Sequence, residues 1–172
     1  MPNRPSIAEV YLNPGDYHFG GPYTRVRPLL GSCVAIVLWH PHARLGGMCH
    51  FMLPTRGRPA KQRDGRYADE VMSLLCEAIA QSGTKLAEYQ ARIFGGGHMF
   101  PGLAQTRRHH VGQQNIEAAR RLLAEKKIGC HGEHVGGFGH RNLIFDIWNG
   151  QIALKQTQPL TAQVPPAGKQ SQ

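Results

Sequence analysis

The run from Leu29 to Pro54, LLGSCVAIVLWHPHARLGGMCHFMLP, constrains this chain more than any other stretch. Two apolar segments, Val34 to Trp39 and Leu45 to Leu53, flank the turn residues His40-Pro41-His42-Ala43-Arg44. Both are rich in β-branched and aromatic residues, and neither reaches helix length before Gly or Pro interrupts it. The run therefore predicts a β-hairpin. Its apolar residues are continuous rather than alternating, which predicts a sheet covered on both faces. Cys33 heads the first segment and His50 lies in the second, and their midpoint falls between Pro41 and His42. A hairpin folded there sets the two at or next to opposing positions, with Cβ atoms about 4.5–5.5 Å apart. A thiol and an imidazole so placed form a base-activated cysteine nucleophile.

Cysteine and strand histidine are also ordinary core residues, so the pair needs support from its surroundings. Gly31-Ser32 precede Cys33, letting backbone approach closely and leaving the N–H groups near Ser32 and Cys33 for an oxyanion. Gly46-Gly47 precede His50, where a substrate can come near. Nothing else in the chain offers a comparable pair. Cys130 and His131 are adjacent, as are Cys49 and His50, and adjacent strand residues point to opposite faces, so no metal site is expected.

The remaining chain reads as one α/β domain over 1–155. Ala8 to Leu12 suits a short strand, and Asn13-Pro14-Gly15-Asp16 and Gly20-Gly21-Pro22 break the chain. Tyr67 to Gln81 is the clearest helix, with Ala68, Val71, Met72, Leu75, Cys76 and Ile79 at 3–4 spacing and Gly83 closing it. Cys76 on that stripe reads as core. Ala91 to Phe94 predicts a strand leading into Gly95-Gly96-Gly97, a flexible rim carrying His98 and Phe100. The triple glycine lacks the following GK[ST] of a phosphate cradle. Asn115 is placed as the N-cap of a second helix to about Lys127, with Ile116, Ala119, Leu122 and Leu123 inward. Ile128 to Val135 and Arg141 to Trp148 follow as strands, and Asn149-Gly150 predicts a type I′ hairpin returning through Gln151 to Lys155. Residues 1–6 read as a frayed end. Residues 156–172, rich in Gln, Pro, Ala, Ser and Thr, are expected to be a disordered tail.

With 20 Lys and Arg against 11 Asp and Glu, the net charge of +9 favours an acidic partner. The charge concentrates at Arg56, Arg58, Lys61, Arg63 and Arg66, in an exposed loop, and at Arg107, Arg108, His109 and His110. Zinc-finger spacing, a helix-turn-helix pattern and RNA-reading aromatics are absent from the sequence, so nucleic acid is not the expected partner. No stretch is long and apolar enough to enter a membrane as a spanning helix. The N-terminal residues lack the apolar core of a secretion signal, and the four Cys lack framework spacing, so free thiols in a cytoplasmic protein are expected.

Four segments in order carry a family resemblance: LGSCVAIVLW with GGMCHF, Ile93 to Phe100, Val111-Gly112-Gln113-Gln114-Asn115, and Gly136 to Arg141. Together they resemble the chemoreceptor glutamine deamidase family, CheD, over roughly residues 8 to 155. The resemblance implies a cysteine hydrolase that converts receptor glutamines to glutamate with release of ammonia and no cofactor. Its substrate would be the chemoreceptor cytoplasmic domain, and a phosphatase of the CheC type would be a second partner. The family's nucleophile maps onto Cys33 and its histidine onto His50. A third catalytic residue, usually Thr, falls by direct count on Arg27, and the nearest upstream hydroxyl, Thr24, is out of register. The family also resembles in fold the deamidase domain of cytotoxic necrotizing factor toxins.

The expected fold is thus a layered α/β sandwich of a mixed or mainly antiparallel sheet with two principal helices. The expected site places Cys33 as nucleophile and His50 as base, with Ser32 supplying oxyanion support and Gly31, Gly96, Gly97 and His98 forming the substrate rim. Guanidinium has no acceptor, so Arg27 cannot orient the imidazole through its side chain. Pro28 biases Arg27 toward an extended conformation, which predicts a main-chain carbonyl near Arg27 in that role. A binding module that kept docking and lost chemistry is the competing reading. Transglutaminase-like or protease-like chemistry at the same pair is a third.

Overall fold

The central hairpin forms where the sequence predicts it, and everything else is layered on it. In the computed structural model, residues 4–99 and 109–158 are described, 109 and 110 by backbone only. In chain order the strands are Ala8–Leu12 (β1), Tyr17–Gly20 (β2), Thr24–Leu30 (β3), Val34–His40 (β4) and Leu45–Phe51 (β5). Helix Ala68–Gln81 (α1) follows, then Gln90–Gly95 (β6), helix His109–Glu125 (α2), Cys130–Val135 (β7), His140–Asp146 (β8) and Gln151–Thr157 (β9). They form two mixed sheets, ordered β2-β5-β4-β6-β7 and β1-β3-β8-β9, in which only β1–β3 and β6–β7 pair in parallel.

The continuous apolar pattern of β4 and β5 has a direct cause. Val34, Ile36, Leu38, Cys49 and Phe51 face the helices, packing with Val71, Met72, Leu75 and Ile79 of α1 and with Ile116, Ala119, Leu122 and Leu123 of α2. Ala35, Val37 and Met48 face the second sheet, against Val26, Leu30, Leu143, Phe145 and Ile147. Helices, five-stranded sheet and four-stranded sheet thus form three layers, with the hairpin buried in the middle one. Gly46 and Gly47 permit this spacing: a Cβ at Gly46 would meet the Phe145 ring at 3.0 Å, and one at Gly47 would meet Leu75 at 2.7 Å.

Several expectations are corrected. The hairpin turns through four residues, Pro41–Arg44, with Arg44 at φ 51° and its N–H donating to the His40 carbonyl at 3.0 Å. The Asn149-Gly150 turn is likewise a four-residue connection, since Asp146 pairs with Gln151. Only Gly150 has positive φ there, whereas a type I′ turn needs it at both central residues. Helix α2 starts at least six residues before Asn115, which is therefore interior and not an N-cap. Strand β9 runs to Thr157, two residues beyond the expected domain end, and 159–172 lie outside the described residues. Strand β3 was hidden by Pro28, which lacks an N–H. Its ladder to β8 is broken there, pairing at Arg25, Val26, Leu29 and Leu30.

Cys76 is half-buried against the helix-side core. The loop after Pro54 is exposed as expected, but its charge is partly matched by α1. Arg56 makes a bidentate pair with Glu70 at 2.7 and 2.6 Å, Arg63 pairs with Glu77, and Arg66 pairs with Asp64 at 2.5 Å. Among the described residues this leaves Arg58 and Lys61 as the loop cations without an ion pair. Arg107, Arg108 and Phe100 lie outside the described residues, as do the side chains of His109 and His110.

Candidate active site

Cys33 sits at the mouth of β4, half-buried, with its side chain against the core between the two sheets. His50 is fully buried in β5, opposite Ala35. The position opposite Cys33 in this register is Met52, so Cys33 and His50 are diagonal neighbours rather than opposed. The four-residue turn moves the fold of the hairpin one position later than their midpoint, which shifts the pairing by two. A shift of two keeps both on one face, the face between the sheets. Such diagonal neighbours stand roughly 7–8 Å apart at the backbone and somewhat less at Cβ, within reach of a ring.

The imidazole is held from behind. His50 Nδ1 is 3.0 Å from the carbonyl oxygen of Leu12, at the end of β1. A carbonyl only accepts, so Nδ1 carries the proton and the neutral ring presents Nε2 as an acceptor. Nε2 is buried and has no partner among the described residues. The His50 backbone is clamped as well, donating to the Asp16 carbonyl at 3.0 Å and accepting from Gly15 N–H at 2.7 Å. Burial pushes the His50 pKa below its usual 6.5, against weaker opposition from the Leu12 carbonyl and the Asp16 charge. Burial pushes the Cys33 thiol above its usual 9.0, opposed by its own backbone N–H. Both shifts favour a neutral thiol and a neutral imidazole at rest, not a preformed ion pair.

Leu12 thus takes the place the sequence reading gave to a carbonyl near Arg27. Leu12 pairs with Pro28, and both are buried, whereas Arg27 pairs with Tyr11 on the outer face. The Arg27 guanidinium lies 3.4 Å from Glu9 and 3.5 Å from the Tyr11 hydroxyl, directed away from the imidazole. No residue-level signal could have found Leu12, because the contact uses its backbone oxygen.

The Cys33 loop is pinned by the triple glycine. Gly97 N–H donates to the Gly31 carbonyl and Gly96 N–H to the Cys33 carbonyl, each at 2.9 Å. Gly95 and Gly96 take φ of +110° and +69°, and a Cβ at Gly95 would strike the Cys33 carbonyl. His98 donates its N–H to Gly137 and accepts from Gly139, with its ring 5.7 Å from Phe138. These bonds tie the backbone of the rim, through His98, to the Cys33 loop and to Gly137 and Gly139. Beneath it Arg141, 1% exposed, donates to His134 Nδ1 at 2.8 Å and to the carbonyls of Gly95 and Gly136 at 3.4 and 2.6 Å. Gly31, Ser32, Cys33, Gly96, Gly97 and His50 are brought to one region, with His98 beside it and the Arg27 side chain outside.

Sequence reasoning read Asn115 as a helix cap and missed its place beside the Cys33 loop. It is fully buried, and its Nδ2 donates to the carbonyls of Ser32 at 3.2 Å and Met52 at 2.8 Å. The available signal was its place on the inward stripe, one turn before Ala119.

The structure thus sets a half-buried thiol and a backbone-oriented imidazole on one face of the five-stranded sheet. Comparison with known proteins names the family. The model for CheD, chemotactic sensory transduction, matches residues 52–156, and the chain belongs to this family. A probable chemoreceptor glutamine deamidase, CheD 3, of Dechloromonas aromatica is 46% identical over 159 residues, 92% of this chain and 93% of that protein. A probable chemoreceptor glutamine deamidase CheD of Pseudomonas savastanoi pv. phaseolicola is 46% identical over 91% of this chain and 88% of its own length. The namesake of Pseudomonas syringae pv. syringae is 43% identical over 96% and 94%. The family model begins after both Cys33 and His50, but alignments of this breadth run across them.

Proposed function

We propose that this chain converts glutamine side chains in the cytoplasmic part of chemoreceptors to glutamate, with Cys33 as nucleophile and His50 as its base. The observation that carries the site assignment is His50 Nε2, without a partner among the described residues, its ring held by Leu12 through Nδ1 and on the same face of the sheet as the Cys33 side chain. In this reading His50 Nε2 takes the proton from Sγ as the sulfur attacks the amide carbon of glutamine. The N–H groups near Ser32 and Cys33 receive the developing oxyanion. The imidazolium then gives its proton to the leaving nitrogen, and ammonia departs to leave a thioester on Cys33. Water, deprotonated by Nε2, adds to the thioester; the tetrahedral adduct collapses to a glutamate side chain on the receptor, and the imidazolium returns its proton to the departing Cys33 sulfur. One water is consumed and one ammonia released per turnover, and no cofactor enters.

A CheC-type phosphatase as second partner and a cytoplasmic location belong to the same proposal. The four free cysteines, with Cys130 exposed, suit a reducing compartment. The likeness in fold to the deamidase domain of cytotoxic necrotizing factor toxins also belongs here, supported by two mixed sheets with both helices on one outer face.

The test is mass spectrometry of a receptor cytoplasmic fragment incubated with the protein. Conversion of a glutamine amide to a carboxylate is expected with wild type and lost with Cys33→Ala and His50→Ala. Conversion that survives Cys33→Ala would overturn the assignment.

A further inference from the structure

We infer that Asn115 is a positioning residue for the oxyanion step, turning the Cys33 backbone N–H toward the side where the sulfur lies. This rests on the reading of Cys33 as nucleophile. Three successive carbonyls around that residue each receive a donor: Gly31 from Gly97 N–H, Ser32 from Asn115 Nδ2, and Cys33 from Gly96 N–H. The middle one is the only one held by a side chain. Every described peptide bond is trans, so the Cys33 N–H points opposite to the Ser32 carbonyl. Asn115 lies in the helix layer, and the Cys33 side chain packs on the other face of the sheet. Drawing the Ser32 carbonyl toward α2 therefore sends the Cys33 N–H toward its own sulfur, the contact that opposes the rise in thiol pKa.

The second Asn115 bond goes to Met52, the position opposite Cys33 in the hairpin register and two residues past His50. One amide group thus ties the peptide before the thiol to the strand that carries the imidazole. Helix α2 approaches closely enough for this through Gly112, one turn earlier, where a Cβ would meet the Gly96 carbonyl at 2.6 Å. Asn115 Oδ1 is buried without a donor among the described residues. An apolar residue would avoid that desolvation, so the position is one where two N–H donors matter more than burial.

The experiment compares two reactions of Cys33 in a Cys130→Ser background, which removes the exposed thiol. Acylation by p-nitrophenyl acetate passes through a tetrahedral oxyanion, whereas alkylation by iodoacetamide displaces iodide directly and forms none. Asn115→Asp keeps the shape but removes at least one donor, and Asn115→Ala removes both. The acylation rate should fall about 10²-fold, the scale of one oxyanion donor, with alkylation changed less than about threefold and, on receptor, kcat lowered more than KM is raised. An unchanged ratio of acylation to alkylation in either folded variant overturns the inference, as does an equal fall in both rates, which marks general disruption. If wild type fails to deamidate receptor while the ratio still falls, the proposed substrate is lost and the role of Asn115 stands.

Discussion

Arg27 occupies the position where the family resemblance places Thr, and Arg27→Thr separates an enzyme from a module that only docks. The guanidinium is about a third exposed, 3.4 Å from an equally exposed Glu9 and above the Tyr11 ring at 6.0 Å. Exposed pairs of this kind contribute about 0.2–1 kcal/mol. Glu9 also keeps Arg25 at 3.8 Å, so its charge is not stranded by the change. Thr suits a strand, which offsets part of the loss. For a chain of this size 1 kcal/mol corresponds to about 2–4 °C in Tm, so the melting temperature should move by less than about 4 °C. The catalytic effect should also be small, because the imidazole is oriented by the Leu12 carbonyl and that contact is untouched. We expect kcat/KM on a receptor fragment to change less than tenfold, about 1.4 kcal/mol of barrier, while His50→Ala abolishes turnover. A wild-type protein inactive on a confirmed receptor substrate, with Arg27→Thr restoring activity, would refute this reasoning and leave the docking module as the better account.

Burial lowers the pKa of both His50 and His18, so the unfolded chain binds more protons than the folded one just below the usual histidine pKa of 6.5. Stability is therefore full above about pH 6.5 and lost as pH falls through the lowered folded values; a melting temperature flat between pH 7 and 5.5 would contradict this. The Cys33 thiol is raised and His50 lowered, so Cys33 alkylation should climb through alkaline pH, and a thiolate plateau extending into acid would show an ion pair instead. Among the thiols Cys130 is exposed and should label fastest. Activity should nonetheless track Cys33 labelling, and Cys49, buried with its pKa pushed up to about 12, should stay protected until unfolding. In the basic loop, Arg58→Gln with Lys61→Gln should flatten the salt dependence of kcat/KM, since these charges are not matched by α1 and act at long range. Arg56→Gln should instead loosen the loop by breaking its bond to Glu70, read as faster proteolysis between residues 56 and 66.

The local chemistry of this protein is legible in its residues. Continuous apolar runs in β4 and β5 require cover on two faces, and the helices and second sheet supply it. The 3–4 stripe of α1 and the Gly-Ser turn before Cys33 are equally local, set by side-chain period and by steric freedom. The register of the hairpin was not, because it depends on how many residues the turn consumes, and Arg44 entering the left-handed region adds two to the loop. That choice makes Cys33 and His50 diagonal instead of opposed. The partner of His50 was hidden for a different reason: a backbone carbonyl has no residue identity, so any strand end could supply it, and only the packing of β1 under β5 selects Leu12. Asn115 was visible as a polar residue on an apolar stripe, yet its meaning came from two carbonyls far away in sequence. Hydrogen bonds to the main chain are what tertiary structure decides here, since they carry direction without leaving a mark on composition or period.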